Sequence, residues 1–342
     1  MHRPLLDVML SDAAVEARLS DESQLAAMLR VEAALAKAEA AAGLISHEAA
    51  SQIERALAGF TPNWDDLAEG MRQDGVVVPR LVKQLRKAVG VEHAEALHHG
   101  ATSQDIIDTA LMLQVKAVVA LFDAQLEALD RELHELLVRH GAQSIMAHTR
   151  MQAALPFTVA DKVRTWREPL GQHRRELAAP GLLVVQLGGP IGDRSSFGGK
   201  GDEIAGAMAK ELELSDAPAW QSSRSRIVTL GGQLAQLTGT LGKVGADVAL
   251  MAQSEVRAVA LEGGGSSSAM PHKSNPVAAE LLVALARHNA TLAGGLYQAM
   301  VHENERSGQA WTLEWLTLPS MLRNTGGALR LASGLLQSLQ FS

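Results

Sequence analysis

Apolar residues recur along this chain at steps of three and four rather than two, the spacing of one face of a helix. The longest run opens at Thr102-Ser103-Gln104-Asp105 and carries Ile107, Leu111, Val115, Val118, Phe122, Leu126, Leu129, Leu133 and Leu136 as far as Gly141. Close to forty helical residues would span about 58 Å at 1.5 Å per residue. Ser20, followed by Asp21 and Glu22, is an N-cap with acids in the first turn. It opens a helix on Leu25, Met28, Leu29 and Leu35 that Gly43 closes, and Ser46 caps another running towards Leu57. A looser stretch follows around Pro62, Gly70 and Gly75, and Pro79 begins a short helix. Further long helices are expected over 157–177, 223–262 and 276–301. No strand–turn–strand alternation and no fixed-period repeat is legible. Helices far longer than the average of about 11 residues predict an all-α fold: a long-helix bundle over 98–342 and a smaller N-terminal helical domain over 1–97.

Composition narrows the function classes. At 342 residues the chain has room for about two domains at ~150 residues each. Its 31 Lys and Arg against 38 Asp and Glu leave a net charge of −7, the wrong sign for a nucleic-acid or membrane-surface binder. Aromatic residues make up 3%, which argues against a base-stacking platform. The absence of cysteine removes disulfides, Cys-based zinc sites, iron–sulfur clusters and thiol nucleophiles. The least polar runs, 177–192 and 227–242, fall short of the ~20 apolar residues that span a bilayer. Met1-His2-Arg3-Pro4-Leu5-Leu6-Asp7 has no secretory apolar core, so a soluble cytoplasmic protein is expected.

Three polar stretches interrupt the helical background. His98-His99-Gly100-Ala101-Thr102-Ser103-Gln104-Asp105 stands where the longest helix begins. Free N–H groups and the helix dipole make that a carboxylate-binding position, although a plain cap would explain the same residues. His148-Thr149-Arg150-Met151-Gln152 precedes Pro156 and reads either as polar site or as interhelical connection. The third stretch, Gly263-Gly264-Gly265-Ser266-Ser267-Ser268-Ala269-Met270-Pro271-His272-Lys273-Ser274-Asn275-Pro276, starts like a flexible linker. Its second half does not. A cation, an amide and an imidazole between two prolines, behind backbone amides that can cradle an oxyanion, point to a site.

Residues 267–276 resemble the signature of the fumarase/aspartase superfamily, roughly GSSxMPxKxNP, with Ser266 where Gly is usual. The stretch from His98 to Asp105, followed by Asp108-Thr109-Ala110, is similar to that superfamily's first conserved region, and Thr149 to Pro156 to its second. Within it the chain most resembles the 3-carboxy-cis,cis-muconate cycloisomerases, through 100–113, 185–192, 220–226 and 303–319, with Asn304 where an EHERS motif has His. Adenylosuccinate lyase or another fumarate-releasing lyase of the same superfamily is the nearest alternative, but adenylosuccinate lyases usually carry a His where Arg150 stands. A sulfomuconate cycloisomerase and a non-catalytic structural protein on the same scaffold are the remaining alternatives. Many members continue for about a hundred residues into a C-terminal helical domain, which is expected to be absent or vestigial here.

The resemblance implies chemistry through a dianionic aci-carboxylate. Ser267 would transfer the proton, while Lys273 and Asn275 would hold the carboxylate that gains charge. Ser268 and Met270 would line the same loop. Thr102, Ser103, Thr149, Arg150 and Gln152 would hold the other carboxylates of a di- or tricarboxylate substrate. His98 would orient or shuttle protons, and Arg306 would be a further anion contact. No cofactor and no metal are implied. The expected partner is a second copy of the chain, in a homotetramer with sites shared between subunits, with neither nucleic acid nor membrane.

Overall fold

Capping fixes where several helices begin. Ser20 Oγ accepts the Ser23 N–H (3.2 Å), Ser46 Oγ that of Ala49 (3.1 Å) and Ser307 Oγ that of Ala310 (3.1 Å). A computed structural model describes residues 4–262, 264–270 and 273–342; Met1, His2, Arg3, Gly263, Pro271 and His272, the last two within the signature, lie outside the described residues. The described residues form α1 (Leu5–Leu10), α2 (Ala13–Arg18), α3 (Asp21–Ala41), α4 (His47–Ala58), α5 (Trp64–Asp74) and α6 (Val78–Val89). Then follow α7 (Ser103–His140), α8 (Val159–Leu177), α9 (Gly201–Leu212), α10 (Ser225–Met251), α11 (Val277–Gln298) and α12 (Gly308–Gln337). The fold is the all-α long-helix bundle that the periodicity predicts.

Two apolar cores share α7. Ile106, Ile107, Ala110 and Leu113 in its first turns join α3, α4, α6 and α9. Met112 and the stripe from Val115 to Leu136 join α8, α10, α11 and α12. Each fully buried Leu or Val there contributes about 1.5–3 kcal/mol. α10 and α11 pack backbone to backbone. A Cβ on Gly242 would stand 2.5 Å from the Ala286 Cβ, and one on Gly245 would stand 2.5 Å from the Ala279 carbonyl oxygen. Only glycine permits that approach.

Four departures from the sequence expectations have physical causes. First, 144–158 is a hairpin, with β1 (Ser144–Thr149) antiparallel to β2 (Gln152–Thr158). Its turn places Arg150 and Met151 at φ 49° and 66°, where two-residue hairpins ordinarily carry Asn-Gly. Most of its side chains are exposed, so neither turn nor alternation announces it. Second, α10 ends at Met251 and not near Glu262, because β3 (Val259–Leu261) finds β-partners in β6 (Leu339–Phe341). Third, α5 and α9 were not legible; α5 begins at an Asn63 cap inside the stretch read as loose. Fourth, α12 holds Pro319, Gly326 and Gly327, poor helix formers. The glycines make room for the N-terminal segment, since a Cβ on Gly326 would stand 2.6 Å from Val15 Cγ2.

The signature loop is pinned at both ends. β4 (Gly265–Ser266) pairs with β5 (Ser274–Asn275) across it, and β3–β6 anchors its root. The Phe341 ring of β6 lies 5.8 Å from the His140 ring, centroid to centroid. The loop therefore rises from the end of the bundle where α7 terminates. Ser266 is exposed on β4, so a serine fits where the signature usually has glycine. Gly265 could not be replaced as freely, because its Cβ would meet Val277 Cγ2 at 2.5 Å.

Candidate active site

At the start of α7 the first region is built into the core. His98 and Gly100 adopt left-handed backbone, φ 60° and 64°. A Cβ on Gly100 would stand 2.8 Å from the Phe197 ring. This double reversal turns both imidazoles back towards α3. His98 Nδ1 lies 2.7 Å from Glu32 Oε1, and His99 Nδ1 lies 2.8 Å from Glu39 Oε1. Burial is the largest influence on His98 and favours its neutral form. The charge and hydrogen bond of Glu32 outweigh it and hold the imidazole above its ordinary value. Glu39 is pushed up to about 8, by burial first and then by the charge of Glu32.

Asp105 organises the turn. Its carboxylate accepts N–H bonds from Thr102 (3.0 Å), Gly188 (2.7 Å), Gly189 (3.0 Å) and the Gln186 amide (3.1 Å). Burial pushes it up to about 6 against the pull of those four donors. Thr102 and Ser103 are thereby held beside the loop 185–192.

One turn further on, Arg224 forms a closed ion cluster. It donates to Asp108 (2.6 and 3.2 Å) and to Glu314 (2.8 Å through Nε). Trp311 Nε1 donates to Asp108 (2.9 Å), and the Trp220 ring stacks 4.6 Å from the guanidinium carbon. Burial raises Glu314, but its bonds from Arg224 prevail and keep it below the ordinary carboxylate range. Arg306 joins this end too, donating to Gln104 Oε1 (3.1 Å) and to the Pro190 carbonyl (3.0 Å).

The remaining candidates lie elsewhere. Thr149, Arg150 and Gln152 are exposed at the tip of the hairpin. Ser267 is half-buried in the signature loop, with Ser268, Met270 and Lys273 exposed and Asn275 half-buried around it. The Ser267 hydroxyl accepts the N–H groups of Met270 (3.1 Å) and Ala269 (3.4 Å). Negative charge on that oxygen would meet two amide dipoles already in place.

Hence one chain brings together His98, Thr102, Ser103 and Arg306, but not these with Ser267 and Lys273. The 38 residues of α7 put about 57 Å between the two ends at 1.5 Å per residue. Among the described residues no group of three or more His, Asp and Glu side chains could hold a metal ion. None of the described helices is long and apolar enough to cross a membrane.

Sequence reading missed Glu32, Glu39, Asp108, Arg224 and Glu314 as parts of this architecture. A signal existed. Glu32 and Glu39 fall on the buried stripe of α3 with Leu25, Met28, Val31 and Leu35, and acids in an apolar stripe require partners.

Comparison with known proteins adds four findings. A family model described as lyase matches residues 7–288. The 3-carboxy-cis,cis-muconate cycloisomerase of Bradyrhizobium diazoefficiens is 41% identical over 337 residues, 95% of this chain and 74% of the relative. That of Pseudomonas aeruginosa is 38% identical, over 98% of this chain and 75% of its own. The crystal structure of 3-carboxy-cis,cis-muconate lactonizing enzyme from Pseudomonas putida superposes with a TM-score of 0.90 at 36% identity, covering 99% of this chain and 78% of that one.

Proposed function

The chain belongs to the lyase family of the fumarase/aspartase superfamily, and from that premise we propose that it is a 3-carboxy-cis,cis-muconate cycloisomerase. A carboxylate oxygen of the substrate attacks its own double bond, forming the lactone C–O bond. The π pair moves to the carbon beside another carboxylate, giving the aci-carboxylate. The Ser267 hydroxyl delivers a proton to that carbon, and the resulting alkoxide is reprotonated from solvent by way of His98. The net change is uptake of one proton, with no redox step.

The observation that carries this chemistry is the pair of amides aimed at the Ser267 oxygen (3.1 and 3.4 Å), which lowers the cost of an alkoxide. Lys273 and Asn275 on the same loop bind the carboxylate that gains charge. Ser268 and Met270 shape that loop, and Thr102, Ser103, Thr149, Arg150, Gln152 and Arg306 hold the other carboxylates. The substrate assignment draws on the identity to the cycloisomerases. The length of α7 supports a site whose two halves come from different copies, and on that basis we assign a soluble homotetramer with shared sites, free of nucleic acid and membrane.

The test is turnover of purified protein with 3-carboxy-cis,cis-muconate beside adenylosuccinate, followed by ultraviolet absorbance. Conversion of the muconate alone is expected; conversion of adenylosuccinate alone overturns the assignment. Light scattering should return four chains of 36.3 kDa, and full activity in a monomer would reject the shared site.

A further inference from the structure

His98 is the only proposed reacting group of this site whose ring is held by a buried anion. The Glu32 side chain is fully buried, and that of His98 is 14% exposed. A carboxylate can only accept, so at 2.7 Å the imidazole proton between them sits on Nδ1, and Nε2 is the nitrogen left for substrate. Among the described residues the second oxygen of Glu32 has no hydrogen-bond partner. Among the described residues the imidazole alone bonds that carboxylate and repays its burial. A residue kept only to stabilise α3 would not be placed so.

Resting on the ring-closure reading above, we propose that Glu32 is a positioning residue for proton return: through Nδ1 it fixes the tautomer and orientation of His98 and keeps the ring protonated, so that Nε2–H faces the reacting centre. The proton passes from Nε2 to the Ser267 alkoxide, and the neutral imidazole regains one from water. Glu32 itself exchanges nothing.

The neighbouring pair sharpens the assignment. Glu39 stands seven residues further along the same face of α3 and bonds His99 with the same geometry. Burial pushes it up to about 8, and it bonds His99 rather than His98, which leaves Glu32 as the carboxylate in contact with the His98 ring. The groups facing His98 are Glu32 and Glu39 from α3, Asp105 from α7 and Arg86 from α6. Of these, Glu32 alone bonds the ring.

The experiment is Glu32→Gln, which keeps the shape and removes the charge. His98 acts as an acid, so activity falls as pH rises through its pKa. The variant should lose about 10- to 100-fold in kcat at pH 8 and clearly less at pH 6, with KM within about threefold. The alkaline limb of the pH profile should move at least one unit lower. In the imidazole NMR spectrum, with His98 assigned by His98→Gln, its titration should shift down by the same amount. This readout needs no turnover. If the wild type does not convert the muconate, the reading of function fails, while the NMR shift still tests Glu32. If the wild type is active and neither the pH limb nor the imidazole titration moves, the role given to Glu32 is wrong. Should Glu32→Gln not fold, Glu32→Asp carries the test. It should keep the wild-type pH limb with reduced kcat, and a fall in kcat no different at pH 6 and 8 together with a displaced titration would overturn the proposal. The double variant Glu32→Gln, His98→Gln should be no slower than His98→Gln alone. An additive loss would show that Glu32 does not act through the ring.

Discussion

The two ends of α7 are built by opposite rules. At its N-terminal end Asp105, Asp108, Arg224 and Glu314 are buried and bonded to one another or to loop amides. At the other end the hairpin tip and the signature loop expose Thr149, Arg150, Gln152, Ser268 and Lys273. Charge removed from the first end leaves a buried partner unpaired. Charge removed from the second leaves a solvated loop. Substitutions in the Arg224 cluster should therefore report as stability, and those in the signature loop as kinetics.

Substitutions test that division, beginning with the largest expected effect. Ser267→Ala should lower kcat by at least about 10⁴-fold, or ~5.5 kcal/mol of barrier, with KM little changed. Steady-state kinetics with the muconate decides this, and retention of a tenth of wild-type kcat would dismiss the serine. Its melting temperature should match the wild type, because a solvated loop carries little core packing.

Arg224→Ala should show the opposite signature. It strands Asp108 and Glu314 in the core, which costs about 3–5 kcal/mol. Urea melts should record the loss, and an unchanged midpoint would mean that the cluster is solvated. Lys273→Ala comes next, with kcat down about 100-fold, or ~2.7 kcal/mol, and KM raised, because the carboxylate it binds is already anionic. Rescue of its KM at low ionic strength without recovery of kcat would still fit; an unchanged KM would not.

The smallest effect is a pH dependence at the buried end. The folded-state value of Glu39, about 8, lies above the unfolded one. Folding therefore binds a proton between those values, and stability falls as pH rises through that window. Glu39→Gln removes the titration. It should lie closest to the wild type at low pH and gain on it, by at most a few kcal/mol, as pH approaches 9. Thermal melts at pH 5, 7 and 9 would show a widening gap, and parallel curves would refute it.

Legibility in the sequence follows the same division. The caps at Ser20 and Ser46 and the bounds of α7 were readable because local chemistry determines them. The hairpin was not, since Arg150 and Met151 adopt left-handed backbone without the residues that usually announce it. α12 hid behind Pro319 and two glycines whose purpose is contact with residues three hundred positions away. The signature loop stood out because its composition has no structural excuse. Arg224 and Glu314 did not, because an ion pair 90 residues apart leaves no trace in local spacing.

The unbroken run of α7 also limits how such a gene can change length. Each residue inserted into a helix turns everything beyond it by about 100° and moves it about 1.5 Å. A single-codon deletion within 103–140 would turn the hairpin that follows it out of register with the rest of the bundle. Seven residues return the face to within about 20° but still lengthen the rod by about 10 Å. Drift in length should therefore collect in connections such as 59–63, 178–184 and 252–258, while α7 keeps its codon count as a ruler keeps its divisions.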